Sequence, residues 1–205
     1  MTILLDAKPL QAGAELSPDS TLGDALNLIQ QHLEGGKIIV KVELDGQPVD
    51  GSTLTLSRSA PLAGHHVAVS TADQKQLALA TIGKLAALIE WLAPQHAEIA
   101  AALEKGQTAP ALQRLGGVLS AWQQIQQSYA GLMTLLQIKL EDLPVRDLTA
   151  ADVIAEFCKQ LTELQTALQN QDFVLLGDIL QYEMEGAVQN WMSLLEAALG
   201  VVQPE

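Results

Sequence analysis

At 205 residues, 48% hydrophobic but only 3% aromatic, the chain is long enough for one large core or two small ones built mainly from Leu, Ala, Ile and Val. The 24 acids against 11 bases give a net charge of -13, spread as -4 over residues 1–70 and -9 over the remainder, which argues against nucleic acid or an anionic membrane as partner. A single cysteine excludes an intramolecular disulfide and a cysteine-only metal site. The place of Cys158 beside Phe157 in a helical pattern predicts a buried structural thiol.

The opening MTILL reads as a strand, and Asp6 and Lys8 arrive too early for the apolar core of a signal peptide. No apolar run approaches the ~20 residues needed to cross a bilayer, so a cytoplasmic protein is expected. The tripeptide AKP offers a turn into a second strand near Leu10–Leu16. SPDST then leads to a helix with Thr21 and Asp24 in capping-box spacing. Leu22, Ala25, Leu26, Ile29 and Leu33 share one face of it, and Gly35-Gly36 stops it. Ile38, Val40, Val42 and Leu44 alternate with Ile39, Lys41 and Glu43 up to Asp45-Gly46, the strongest hairpin signal in the chain. Leu54 with Leu56, and Val67 with Val69, suggest two further short strands.

This order of strand, strand, helix, strand and short strands resembles a β-grasp, the ubiquitin-like fold, over residues 1–70. The resemblance rests on element order and length. Conjugated and sulfur-carrier members of that family end in an exposed Gly-Gly tail, whereas HHVAVST here runs directly into a helix. What the resemblance implies is therefore recognition or docking rather than tail activation.

Residues 71–205 read as helical. Ser70 or Thr71 can cap a helix carrying Leu77, Leu85, Leu88, Ile89 and Leu92, in which Pro94 predicts a kink or restart, and Lys105-Gly106 ends it. A long helix from about Thr108 tolerates Pro110 in its first turn. Its seam runs through Leu115, Val118, Trp122, Ile125, Tyr129, Leu132 and Leu136 in steps of three and four. Gly116-Gly117 within it suggests close helix packing. After a break at Asp142–Asp147, Thr149 and Asp152 form a second capping box for a helix bearing Val153, Phe157, Leu161, Leu164 and Leu168. Asn170–Asp172 turns into a last helix that Asp172 caps. The fold class expected is thus α+β: a small N-terminal β-grasp-like domain, 1–70, followed by an antiparallel four-helix bundle, 71–205.

The last helix contains a contradiction. Its apolar repeat over Asp172–Leu199 takes in Glu183, and a carboxylate in a buried stripe needs a partner. Trp91, Trp122 and Trp191 fall near apolar faces of three helices and can converge in one layer. A hydrogen bond from one of these indoles or from Tyr129 would make Glu183 a buried specifier of packing, or the edge of a binding groove. Asp178 and Tyr182, four apart, share a face beside it. The spacing Asp172, Leu175, Asp178, Leu180, Tyr182, Glu183 resembles helical C-termini of uncharacterised bacterial proteins, over that short segment only, and carries no catalytic residue with it.

Tests for metal and cofactor chemistry come out negative. There is no Glu-x-x-His pair for a di-iron site, no Walker loop, and no G-x-G-x-x-G, H-E-x-x-H or G-x-S-x-G. His65 and His66 point to opposite faces of a strand, and His32 and His96 are expected to be solvated. No catalytic residue, metal ligand or cofactor is therefore assigned, which weakens an enzyme without excluding one. The expected function is a non-catalytic bacterial protein-interaction module, an adaptor, scaffold or secretion-type chaperone. It would recognise a protein partner through a helical groove or a sheet edge. The candidate surface is Asp178, Tyr182 and Glu183 with Trp191 as anchor. The leucine-rich helices are compatible with a homodimer. The rival class is a small-ligand binder or enzyme with its site between head and bundle, using His65, His66 and acids of the bundle.

Overall fold

A computed structural model describes residues 2–10, 16–17, 19–33, 35–50, 53, 55 and 57–203. The chain is α+β and divides into two compact units, Met1–Leu77 and Ala78–Glu205.

In the first unit, β1 (Thr2–Leu5) and β2 (Lys8–Pro9) form a hairpin, followed by α1 (Leu22–His32), β3 (Lys37–Leu44), β4 (Gln47–Pro48) and β5 (His66–Asp73). The five strands make a mixed sheet in the order β2-β1-β5-β3-β4. Only the β1–β5 pair is parallel, with Ile3 opposite Val67 and Leu5 opposite Val69. Thr21 and Asp24 cap α1 reciprocally, and its stripe of Leu22, Ala25, Leu26 and Ile29 packs with Ile3, Val42, Val67 and Val69. Asp45 (φ 52°) and Gly46 (φ 79°) make the β3–β4 turn, with both central residues left-handed as a two-residue hairpin demands.

Three expectations for this unit change. The first turn falls at Asp6-Ala7, both at positive φ, so the second strand is Lys8–Pro9; residues 11–15 of the expected strand lie outside the described residues. Asp6 holds this turn to β5 by accepting from the Thr71 backbone N–H (2.8 Å) and hydroxyl (2.7 Å), bonds that lower its carboxyl pKa. The alternation of β3 breaks at a bulge between Ile39 and Lys41, which leaves Val40 47% exposed while Ile39 and Val42 both pack on the core. Leu54 and Leu56 lie outside the described residues, and Thr53, Thr55 and Ser57 around them are helical rather than extended.

The second unit takes in most of α2 (Gln74–Glu104), then α3 (Thr108–Leu136), a 3-10 turn (Leu140–Asp142), a miniature hairpin of β6 (Pro144–Val145) and β7 (Leu148–Thr149), α4 (Ala150–Gln169), α5 (Phe173–Asp178) and α6 (Met184–Val202). Between α5 and α6 the backbone makes a π-helical turn, Ile179–Glu183, so the expected single last helix is interrupted. All four long helices contribute to one core, from Ile89 and Leu92 through Leu115, Ile125, Phe157 and Leu164 to Leu194 and Leu195. Thr149 and Asp152 form the second capping box, and the Asp172 carboxylate accepts from the Leu175 N–H.

Pro94 neither breaks nor restarts α2. It and Glu90, whose carbonyl it deprives of a donor, both lie on the exposed face, where solvent can replace the lost bond. Helix α2 is also long and apolar enough to cross a membrane, with a mean hydropathy of 1.4 over an 18-residue window. The expectation counted unbroken apolar runs, whereas an Ala-rich helix with few charges reaches that average through its interruptions. Its stripe of Ile82, Leu85, Ile89, Leu92 and Ile99 is buried in the core, and 28% of that apolar window as a whole is buried.

Two local readings are overturned. Cys158 is exposed, because the buried stripe of α4 runs Val153, Phe157, Leu164 and Ala167 and the residue after Phe157 lies about 100° off it. Gly116 and Gly117 are exposed too, and a Cβ built on either meets nothing within 4 Å, so close helix packing does not explain them.

Candidate functional site

The buried stripe of the last helix runs Leu176, Leu180, Met184, Ala187 and Trp191, in steps of four and three that continue through the π-helical turn. Met184 is 1% exposed, and Glu183 beside it is left half-buried at the margin. The bond expected to satisfy Glu183 is absent, since Tyr129 Oη and Trp191 Nε1 are both buried without a partner. Partial burial, and then the like charges of Glu163 and Glu156 on α4, hold its carboxyl above the usual carboxylate range. Glu183 is therefore a strained surface acid and not a buried specifier of packing.

Such a carboxylate opposes folding when ionised, so its unfavourable contribution grows as pH rises through the ordinary carboxylate range. Glu183→Gln is expected to stabilise the chain at pH 7 by less than about 1 kcal/mol after solvent screening, with the difference closing near pH 4. Urea titrations at the two pH values check this.

Around this turn lie the other residues singled out from the sequence. Asp178 and Tyr182 are exposed, Tyr182 by 69%, and Val174 (77%) and Leu175 (45%) of α5 are exposed with them. The last two fall within the apolar repeat over Asp172–Leu199. Steps of four from Val174 through Asp178 to Tyr182 place the three on one side of the helix, away from buried Leu176, Ile179 and Leu180. Trp191 is 1% exposed and cannot anchor a partner at the surface.

Trp191 instead belongs to an aromatic cluster. Its ring lies 5.5 Å from Tyr129 and 5.5 Å from Phe157, both edge-on, and 6.0 Å from Trp122. Trp91 does not join the layer. It is 49% exposed, because it falls between Ile89 and Leu92 on the turn of α2 that faces outward.

The fifth member of the cluster is His96, read from the sequence as solvated. It is 2% exposed, stacked 6.0 Å from Trp122, and its Nε2 accepts from Trp122 Nε1 at 3.1 Å. That bond fixes the proton on Nδ1, which has no partner. Burial pushes the imidazole pKa down to about 4. The spacing Leu92, His96, Ile99 was the available signal, since it continues the buried stripe. His96 also lines a groove of 390 Å³ between Ala93 and Ala97 of α2 and Leu180, Gln181, Glu185 and Val188 of the last helix. In the first unit, His65 Nδ1 pairs with one Asp45 carboxylate oxygen at 2.6 Å, and the His66 backbone N–H donates to the other at 2.8 Å. Among the described residues, no three His, Cys, Asp or Glu side chains gather as a metal-holding group.

Residues 80–194, more than half of the chain, match the family described as a domain of unknown function, DUF8042. The chain belongs to the DUF8042 family. No curated protein and no solved structure matches it. The DUF8042 span encloses the aromatic cluster, the groove, and the π-helical turn with its exposed face, and it lies wholly within the helical unit.

Proposed function

We propose that this DUF8042 protein is a non-catalytic interaction module, an adaptor or scaffold, whose helical unit takes a basic amphipathic segment across the π-interrupted last helix. The observation that carries this reading is the exposed apolar set Val174, Leu175 and Tyr182 within nine residues of sequence. Single exposed apolar residues are ordinary on protein surfaces, but a clustered set on one helix is a candidate contact face. Asp178, Glu183 and Glu185 surround it, on a chain of net charge -13, so a cationic partner is favoured electrostatically. The adjoining 390 Å³ groove offers a place for an apolar side chain of that partner.

The helical surface is a better candidate than the sheet. The long strand β3 carries Lys37 and Lys41 and the bulge at Val40, features that discourage pairing with an added strand. Sheet order β2-β1-β5-β3-β4, with β1 parallel to β5 and α1 between β2 and β3, supports a β-grasp reading of the first unit. One shared core, with short turns at 105–107 and 170–172, supports an antiparallel four-helix bundle in the second, the last helix being α5 and α6 together. A secretion-type chaperone, masking an amphipathic terminus until delivery, is one version of this function.

The test is affinity capture from the native cell at low and high salt, comparing the natural chain with Val174→Ser/Tyr182→Ser. Both positions are exposed, so the double variant is expected to keep its urea midpoint and lose its partner, and capture by the natural chain should weaken with salt. An unchanged set of captured proteins in the double variant would overturn the reading.

A further inference from the structure

Helix α2 turns one long face to solvent. Ala80, Gly83, Lys84, Ala87, Glu90 and Trp91 are all exposed, and steps of three and four place them opposite the buried stripe of Ile82, Leu85, Ile89 and Leu92. On this face Trp91 leaves an indole 49% exposed. Gly83, one turn of small residues away, is a bare position inside the helix. Its φ is not left-handed and a Cβ built on it meets nothing within 4 Å, so nothing in the fold of a single chain calls for a glycine there.

The charges of the helix are segregated along its length. Lys75 and Lys84, its two lysines, precede Ala87, and Glu90, Glu98 and Glu104, its three glutamates, follow it. Among the described residues, neither Lys84 nor Glu90 takes part in an ion pair. A helix that is basic before one point and acidic after it is complementary to a reversed copy of itself.

Ala87 is that point for shape as well as for charge. Gly83 and Trp91 are each four residues from it, and Lys84 and Glu90 each three, so a two-fold axis across α2 at Ala87 brings the members of each pair to one level. In such an antiparallel pair, Trp91 of one copy stands over the hole that Ala80, Gly83, Lys84 and Ala87 of the other form at spacings i, i+3, i+4 and i+7. The missing Cβ of Gly83 deepens that hole for a large side chain. Lys84 borders it, where an ammonium group can meet the face of the ring. Symmetry makes every contact twice.

We propose that α2 is a self-association face, on which a second copy of this chain packs antiparallel about Ala87 with Trp91 of each copy seated over Gly83 of the other. The face shares no residue with the exposed set Val174, Leu175 and Tyr182 or with the 390 Å³ groove, so this pairing and the docking reading can fail separately.

Sedimentation equilibrium of the full chain over a concentration series, at one fixed ionic strength, measures the pairing. The natural chain is expected to dimerise. Trp91→Ala should weaken the dimer by more than about thirtyfold, as the loss of an aromatic anchor does, and Gly83→Met should weaken it as strongly by filling the hole. At a concentration that keeps the natural chain monomeric, Trp91→Ala should leave the urea midpoint in place and Gly83→Met should raise it, which separates lost pairing from lost folding. Lys84→Glu and Glu90→Lys move the net charge of -13 in opposite directions. Complementary pairing nevertheless requires each alone to weaken the dimer, by about tenfold, and the double exchange to restore it. Opposite effects of the two single variants would show bulk repulsion alone and would overturn the proposal. So would a chain that stays monomeric throughout the series, or a dimer that Trp91→Ala leaves intact. Co-sedimentation of a monomeric chain with phosphatidylcholine vesicles, lost in Trp91→Ala, would assign the face to lipid instead.

Discussion

Lowering the pH from 7 to 4 is expected to cost the helical unit about 3 kcal/mol through His96 alone, and His96→Gln is expected to remove that loss. In the folded chain the imidazole is neutral, its Nε2 occupied as acceptor for the Trp122 indole and its pKa pushed down to about 4 by burial. Unfolding returns it to an ordinary value near 6.5. The unfolded chain therefore binds more protons between those values. Stability from this residue is complete above about pH 6.5 and falls away as pH drops toward 4. Protonation would also set an N–H on Nε2 against the Trp122 N–H, so the hydrogen bond is lost together with the neutral form. Glutamine keeps an acceptor for Trp122 and does not titrate. Urea unfolding at several pH values, followed for both proteins, measures the difference in slope. Parallel profiles would show that His96 is solvated or finds a counter-charge, Glu185 being the carboxylate that lines the same groove.

The double substitution Gly116→Ala/Gly117→Ala should stabilise the chain by about 2 kcal/mol, roughly 1 kcal/mol for each glycine replaced within a helix. Both lie inside α3, neither at positive φ, and neither has an atom within 4 Å of where a Cβ would stand. The gain arises mainly in the unfolded chain, whose freedom at these positions is reduced. A higher urea midpoint with an unchanged denaturant slope is the expected signature. A loss of stability would mean that the pair meets another surface in solution, and sedimentation of the same samples would detect it as a change in association.

Local chemistry made much of the fold legible. Thr21 with Asp24, and Thr149 with Asp152, announce two helix starts because a reciprocal cap needs only residues three apart. Asp45-Gly46 announces a hairpin because few dipeptides accept left-handed backbone twice. The seam of α3 from Leu115 to Leu132 is buried as its spacing requires. The candidate site was less legible. Periodicity places a residue on a face to within tens of degrees, which is too coarse to separate Glu183 from Met184, Trp91 from Leu92, or Cys158 from Phe157.

What the sequence by itself determined is the α+β class, the capped helix starts and the acidity of any surface the chain presents, since these depend on composition and neighbours in the chain. Tertiary structure alone decided that Val174, Leu175 and Tyr182 face outward, that Glu183 has no hydrogen-bond donor, and that His96 is buried against Trp122. It also brought the rings of Tyr129 and Trp191 edge to face in one cluster. Each of these depends on which helix lies opposite, and residues as distant as Tyr129 and Trp191 become neighbours only when the core closes.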